Sequence, residues 1–249
     1  MRVAALHDIH GNLPALEAVL ADVEAAGVDR IVLGGDLSLG PMPTDTLDLL
    51  WGLGDRVVAL HGNTDREQVA AFDGGAPDPR IPDGVREATI WAGRVLERRH
   101  RDYLAGLPPT LKFDVDGVGK VLFCHATPQN DVDVFTAVSA EDRVAPMLAG
   151  VDADVVVCGH THMQFDRRVG GVRVVNAGSV GMPFAEPGAY WLLLGPAVEL
   201  RRTAYDLEAA AARIRATAYP MAEDFAANNV LRPPSAADVI ARFEQATRG

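Results

Sequence analysis

The chain has little cysteine: Cys124 and Cys158 are the only two in 249 residues. Two cysteines can close one bridge but cannot form a disulfide framework, so a packed core must hold the fold. Each lies just before a histidine at the end of an apolar run, which fits small buried thiols and a reducing, cytoplasmic setting. Aromatic residues are also scarce, at 6% against 48% hydrophobic residues, so aliphatic and alanine packing must fill the interior. No apolar run reaches about 18 residues, so no membrane span is expected. The opening "MRVAALHDIHGN" meets charge and glycine too soon for a signal sequence. Positive charge is in deficit, with 23 Lys and Arg against 34 Asp and Glu and a net charge of −11. Long DNA or RNA binds through neutralised phosphates, so such a surface argues against nucleic acid as a standing partner. A small anionic substrate stays open, because a bound metal can outweigh the global field. Internal repeats and low-complexity stretches are absent as well.

What is present is an alternation of buried strands and amphipathic helices. "MRVAAL" is followed by "LPALEAVLADVEAAG", in which Leu13, Leu16, Leu20 and Val23 share one face and Gly27 ends the helix. "RIVLGGD", the short helix "TDTLDLLWGL" and the strand "RVVALHGN" continue a β-α-β-α-β order, which predicts a mostly parallel, covered sheet. Residues 73–84 read as a loop, residues 85–106 as helix halted by Pro108 and Pro109, and 139–149 as helix. "TLKFDV" with "KVLFCH", and "QFDRRV" with "VRVVNA" across Gly170-Gly171, read as hairpins. "ADVVVCGH", "AYWLLLG" and "AVELRR" complete the strands. The expected organisation is a single domain over 1–249, with a core of about 1–203, a helical insert of about 65–108 and a helical C-terminal extension of about 206–249. Asp206 can cap the first helix of that extension, and Ser235 with Asp238 the last. The extension shows no chemistry of its own and reads as a cover over the sheet or a contact within a homo-oligomer.

The chemistry sits at strand ends. After "VAAL" come Asp8 and His10; after "IVLG", Asp36; after "VVAL", Asn63; after "VLF", His125; after "DVVV", His160 and His162. Sites in open α/β sheets form at the carboxyl ends of strands. Gly11, Gly34, Gly35, Gly62 and Gly159 beside them let the backbone turn and approach a ligand. Any one of these signals is common in ordinary loops. Four of the seven histidines gathered at such ends, beside two carboxylates and an amide, point to metal.

The series "DIHGN", "GDLSLGP", "GNTD", "CHATP" and "GHTH" resembles the calcineurin-like metallophosphoesterases, in particular the small bacterial branch of phosphodiesterases and dinucleoside-tetraphosphate hydrolases. That resemblance implies a four-layer αββα sandwich of two mixed sheets with C-terminal helices. It implies two divalent ions, one held by Asp8, His10, Asp36 and His162, the other by Asp36, Asn63, His125 and His160, with Asp36 shared. An all-oxygen and nitrogen set suits manganese, which is preferred, or iron, zinc, nickel or cobalt. Two divalent cations against Asp8 and Asp36 leave the cluster positive, so a phosphate ester is drawn in despite the acidic chain. The nucleophile implied is a metal-activated hydroxide; no other cofactor is called for, and no G-x-S-x-G or nucleophilic cysteine motif is present.

Many family members have G-N-H-D where this chain has Thr64. A hydroxyl is a poor general acid but can hydrogen-bond a phosphate oxygen. Asn63 and Thr64 are therefore expected to position phosphate, and esters with good leaving groups are favoured: aryl esters, diesters and phosphoanhydrides, nucleotide ones among them. His7 and His61 read as core or supporting residues, and His100, among Arg98, Arg99 and Arg101, as part of a solvated helix face. "NAGSVG" at 176–181 reads as a turn, and Asn130, Asp131 and Asp133 as a polar loop. The competing reading is a metal-binding scaffold for protein docking, as in the retromer subunit similar to this family, which has lost ligands. Here every ligand position is filled.

Overall fold

The computed structural model describes residues 1–246. Its first half alternates as the apolar periodicities predict: β1 (Val3–Leu6), α1 (Leu13–Ala25), β2 (Arg30–Gly34), α2 (Pro43–Gly52), β3 (Val57–Leu60) and α3 (Asn63–Phe72). The insert adds α4 (Asp83–Val95) and α5 (Arg98–Ala105). Then follow β4 (Thr110–Val115), β5 (Gly119–Cys124), α6 (Glu141–Val144), β6 (Val155–Cys158), β7 (Phe165–Val169), β8 (Val172–Asn176), β9 (Ala189–Leu194) and β10 (Val198–Thr203). The C-terminal segment holds α7 (Leu207–Arg215), α8 (Ala222–Phe225), a π-helical stretch (Ala226–Leu231) and α9 (Ala236–Ala246).

Two mixed five-stranded sheets result, ordered β10-β9-β1-β2-β3 and β4-β5-β6-β8-β7. β1, β2 and β3 are parallel neighbours, as are β5, β6 and β8. The hairpin partners β4, β7 and β10 run antiparallel at the edges, and Gly170 and Gly171 both take the positive φ that a tight hairpin turn demands. Period-two alternation sends Val3, Ala5, Val32 and Leu60 of one sheet against Phe123, Val157 and Val175 of the other. Ala4, Leu6, Ile31 and Leu33 face the opposite way, onto α1 and α2. The second sheet's outer face is covered thinly, by α6 and neighbouring loops packed on Val156 and Val174. This is the expected four-layer α/β sandwich, and it puts the carboxyl ends of six parallel strands along one edge.

Several local expectations need correction. The span 85–106 is two helices, not one, because Leu96 turns extended to bury itself in the core and Glu97 starts a new helix. His100 is fully buried rather than solvated: its Nε2 lies 2.9 Å from Asp48 Oδ1 and its Nδ1 accepts from the Glu97 amide. It pins α5 to α2. Residues 139–149 give only the short α6 and a 3-10 turn, since Pro146 lacks the amide that would prolong the helix. Asp206 caps α7 as predicted, through the Ala209 amide. The Ser235–Asp238 box is half formed: the Ser235 hydroxyl accepts from the Asp238 amide, but the Asp238 carboxylate takes the Ser235 hydroxyl proton instead of the backbone amide. The C-terminal segment lies on helices rather than on a sheet, with Ala211, Ile214, Phe225 and Val230 packed against Leu13, Met42 and Ala88. Among the described residues no helix is long and apolar enough to cross a membrane.

Candidate metal centre

Five non-glycine residues among those described have positive φ: Asp8 (54°), His10 (48°), Asp36 (54°), His160 (63°) and His162 (58°). All five are predicted ligands. The left-handed region costs a residue with a Cβ on the order of 1 kcal/mol, and Asp and His tolerate it better than most. The turns after β1, β2 and β6 are therefore sharp reversals made at the chemical residues themselves. Gly11 and Gly35 take positive φ beside them, and other glycines assist by being small. A Cβ on Gly34 would strike the His7 ring, one on Gly62 the Asp36 carboxylate, and one on Gly159 the Asp8 carboxylate.

The reversals converge. Single ligand atoms of Asp8, His10 and His162 lie within 4.8 Å of one another, as do those of Asp36, His125 and His160. Asp36 faces both groups: Oδ2 is 3.6 Å from His10 Nε2, and Oδ1 is 3.5 Å from His125 Nε2. His10 Nε2 and His162 Nε2 approach to 3.2 Å. Two nitrogens bound at about 2.1 Å to one ion, near a right angle or slightly wider, stand about that far apart.

Orientation is imposed from behind. His10 Nδ1 meets the Leu39 carbonyl at 3.3 Å, His125 Nδ1 that of Gly34 at 2.9 Å, and His162 Nδ1 that of Met182 at 2.7 Å. A carbonyl only accepts, so these Nδ1 atoms carry the proton and Nε2 is left with its lone pair facing inward. The His160 amide donates to Asp8 Oδ2, which turns Oδ1 toward the cluster. Asn63, the first residue of α3, gives its amide N–H to Glu67 Oε1 at 3.4 Å. Asp8 Oδ1, Asn63 Oδ1 and His125 Nε2 are consequently buried with no hydrogen-bond partner. Buried polar atoms are rarely left so. Asp8 Oδ1 and His125 Nε2 stand 3.9 Å apart, and such orphaned atoms sharing one space fit a cation.

The electrostatics agree. Burial works against charge on Asp8, yet His162 and His125 pull its carboxyl down to about 2. Burial likewise opposes ionised Asp36, and His125, His10 and His160 hold it well below the usual carboxylate range. His160 is pushed down to about 4 by burial, while His125 rises to about 10 because Asp36 and Asp8 outweigh its burial. The imidazoles cannot all be protonated at once, and divalent cations would supply the same positive charge without that conflict.

A model of the calcineurin-like phosphoesterase superfamily domain matches residues 1–194. The chain belongs to this family. A solved structure of a hypothetical protein from Pyrococcus horikoshii OT3 has TM-score 0.79 and 21% identity, covering 94% of this chain and 99% of that one. A metallophosphoesterase from Sphaerobacter thermophilus has TM-score 0.67 and 25% identity, covering 98% and 99%. An uncharacterized protein of Methanocaldococcus jannaschii is 26% identical over 186 residues, 72% of this chain and 69% of its own. The protein is thus a phosphoesterase, a hydrolase of phosphate esters, in a family that uses divalent metal.

In this phosphoesterase several further residues support the site. Asp65 is buried and accepts the amides of Asp36 (2.8 Å), Leu37 (2.9 Å) and Gly62 (2.8 Å). It ties the β2 and β3 loops together, although burial and the nearby Asp36 push its carboxyl up to about 7. Phe184 stacks on His162, with centroids 4.9 Å apart. The "NAGSVG" turn clamps rather than binds: the Ser179 hydroxyl and the Gly181 amide both reach the Asp8 carbonyl, and the Asn176 amide reaches that of Gly159. His7 is buried and pushed down to about 4 by that burial, so it is a neutral packing residue. His61 lies 3.4 Å from Asp131, which Arg66 grips, beside His125 in a cleft of about 240 Å³. Asn130 and Asp133 mostly bond within their own loop. Asp65→Asn should keep the fold but weaken metal affinity about 10–100-fold, because a neutral amide cannot accept three N–H donors as well. A competitive chelator titration measures this, and unchanged affinity would show that the loops hold themselves.

Proposed function

We propose that Asp8, His10, Asp36, Asn63, His125, His160 and His162 hold two divalent ions, manganese by preference. The protein would then hydrolyse phosphodiester or phosphoanhydride bonds of small substrates, including nucleotides. The observation that carries this reading is the shared carboxylate: Asp36 turns one oxygen to each of two ligand groups. When bound, such an ion pair activates water near neutral pH and steadies the charge on the attacking and departing oxygens.

The chain's own residues do the rest. The α3 N-terminus points at the centre, with the Thr64 amide donating to Asp36 Oδ1 at 3.0 Å. Positive partial charge at a helix start favours the anions gathered there. The Thr64 hydroxyl is enclosed and without a partner, so it is free to hold a phosphate oxygen. No imidazole stands at position 64 to protonate a poor leaving group. Aryl esters, diesters and anhydrides are therefore the favoured substrates, in a cytoplasmic enzyme without long nucleic acid as partner.

The deciding experiment is a panel of monoesters, diesters, cyclic nucleotides and dinucleoside polyphosphates, assayed with each metal. Turnover of none of them with any metal would favour the scaffold reading. Thr64→His should raise kcat for alkyl esters by about 100-fold while changing nitrophenyl esters little, since general acid catalysis matters only when the leaving oxygen is basic. Equal gains on both would show that position 64 acts by binding instead.

A further inference from the structure

Next to the ligand cluster lies a cavity of about 280 Å³ that the metal site does not use. His10 and Thr64 form its inner end. Its walls are apolar: Ala88 of α4, Met182, and Tyr219, Met221 and Phe225 from the C-terminal segment. Asp224 and Asn229 stand among the same lining residues and supply its polar groups. The family match ends at residue 194, so this wall is built by chain beyond it.

We propose that this cavity receives the nucleobase of a nucleoside phosphate ester whose phosphorus lies over the metal centre. The inference rests on the phosphodiesterase reading above and names the substrate class. Phosphate held at the ligand cluster must send its ester group along one of the openings from it. The cleft beside His125 carries the charged or hydrogen-bonding His61, Arg66 and Asp131 along with Pro109 and Pro128, a mixed surface. The cavity past Thr64 is the apolar one. Thioethers and aromatic faces such as those of Met182, Met221, Tyr219 and Phe225 pack well on a flat ring.

Asp224 narrows the choice. A carboxylate repels a further phosphate, so the group here is uncharged. It accepts hydrogen bonds only, so the ring must offer an N–H, which a plain phenyl lacks and an amino-bearing base has. Asn228 donates to Asp224 Oδ1 at 2.8 Å and holds the carboxylate in place. Asn229 belongs to the π-helical stretch Ala226–Leu231, a geometry that is rare and recurs at functional sites. The volume suits one nucleoside and is small for two.

The test compares two esters with the same leaving group, on the full chain loaded with Mn²⁺. These are the p-nitrophenyl ester of adenosine 5′-monophosphate and methyl p-nitrophenyl phosphate. The adenosine ester should have a KM about tenfold lower or better, the scale of one stacked base. Tyr219→Ala should cut the ratio of the two kcat/KM values about tenfold. Asp224→Ala, at an exposed position that does not threaten the fold, should cut the preference for the adenosine ester over the purine riboside ester, whose base has no N–H, about fivefold. Equal KM values in the parent protein, or a Tyr219→Ala that slows both esters alike, would overturn the proposal. Adenosine 5′-monophosphate binding, followed by calorimetry on the same loaded protein, separates the two readings. Binding that weakens in Tyr219→Ala without hydrolysis of either ester would sink the hydrolase reading and keep the cavity. No binding at millimolar nucleotide would sink the cavity.

Discussion

Asp36→Asn is expected to lower kcat/KM toward bis(p-nitrophenyl) phosphate by about 1,000-fold or more, equivalent to about 4 kcal/mol of transition-state stabilisation. Metal content should fall from two ions per chain to one or fewer. The substitution conserves shape at a side chain that is almost fully buried. What changes is that one carboxylate oxygen becomes an N–H group. That group must face either His10 Nε2 or His125 Nε2, and on either side it puts a donor where a ligand lone pair is needed. The loop itself should survive, because Asp65 continues to accept the backbone amides of residues 36 and 37. Elemental analysis and circular dichroism on the same sample separate lost metal from lost fold. Full metal content with full activity would remove Asp36 from its shared position and with it the two-ion reading.

The residues of this site were visible in sequence for a geometric reason. Parallel strands joined by helical crossovers deliver every carboxyl end to one edge, so a side chain just past an apolar run has its destination set by topology. Asp8, Asp36 and Asn63 follow three adjacent parallel strands, and His125 and His160 follow two more in the facing sheet. How the chain turns there was not visible. Of the glycines expected to make the reversals, Gly11 and Gly35 do take positive φ, while Gly34, Gly62 and Gly159 serve by lacking a Cβ, and Asp8, His10, Asp36, His160 and His162 share the left-handed turns. Sequence alone shows that a glycine is present, not which neighbour would collide with it.

Distance in the chain hid the remainder. Tyr219 and Met221 carry no motif, and their relation to His10 exists only because the C-terminal segment packs over α1 and α4. His100 misled for the opposite reason. Its arginine neighbours read as a wet surface, but helical geometry gives each position its own direction, and this one points at Asp48. Asp65 stands within "GNTD" with nothing to mark its role, since an acceptor of backbone amides leaves no trace in residue type. Such roles become legible only when both ends of the hydrogen bond are in view.

Removing metal with a chelator should abolish turnover and lower Tm by about 10 °C, with recovery on adding Mn²⁺. Two ions, each present at about a hundred times its Kd, stabilise the folded state by about 5 kcal/mol together. A chain of this length loses about 2 °C of Tm per kcal/mol. The structure gives reason to expect the full amount. The five left-handed residues of the cluster store on the order of 1 kcal/mol each. Asp8 Oδ1 and Asn63 Oδ1 are buried without a hydrogen-bond partner, and a bound cation would supply one. The damage should be local first. Amide exchange should quicken at residues 8–12, 35–39, 61–65 and 159–163 while Leu192, Leu194 and Val32 between the sheets stay protected, because their burial does not depend on the cluster. Equal Tm and equal exchange with and without saturating Mn²⁺ would mean that the reversals are held by packing alone, and the strain would then have no tie to metal.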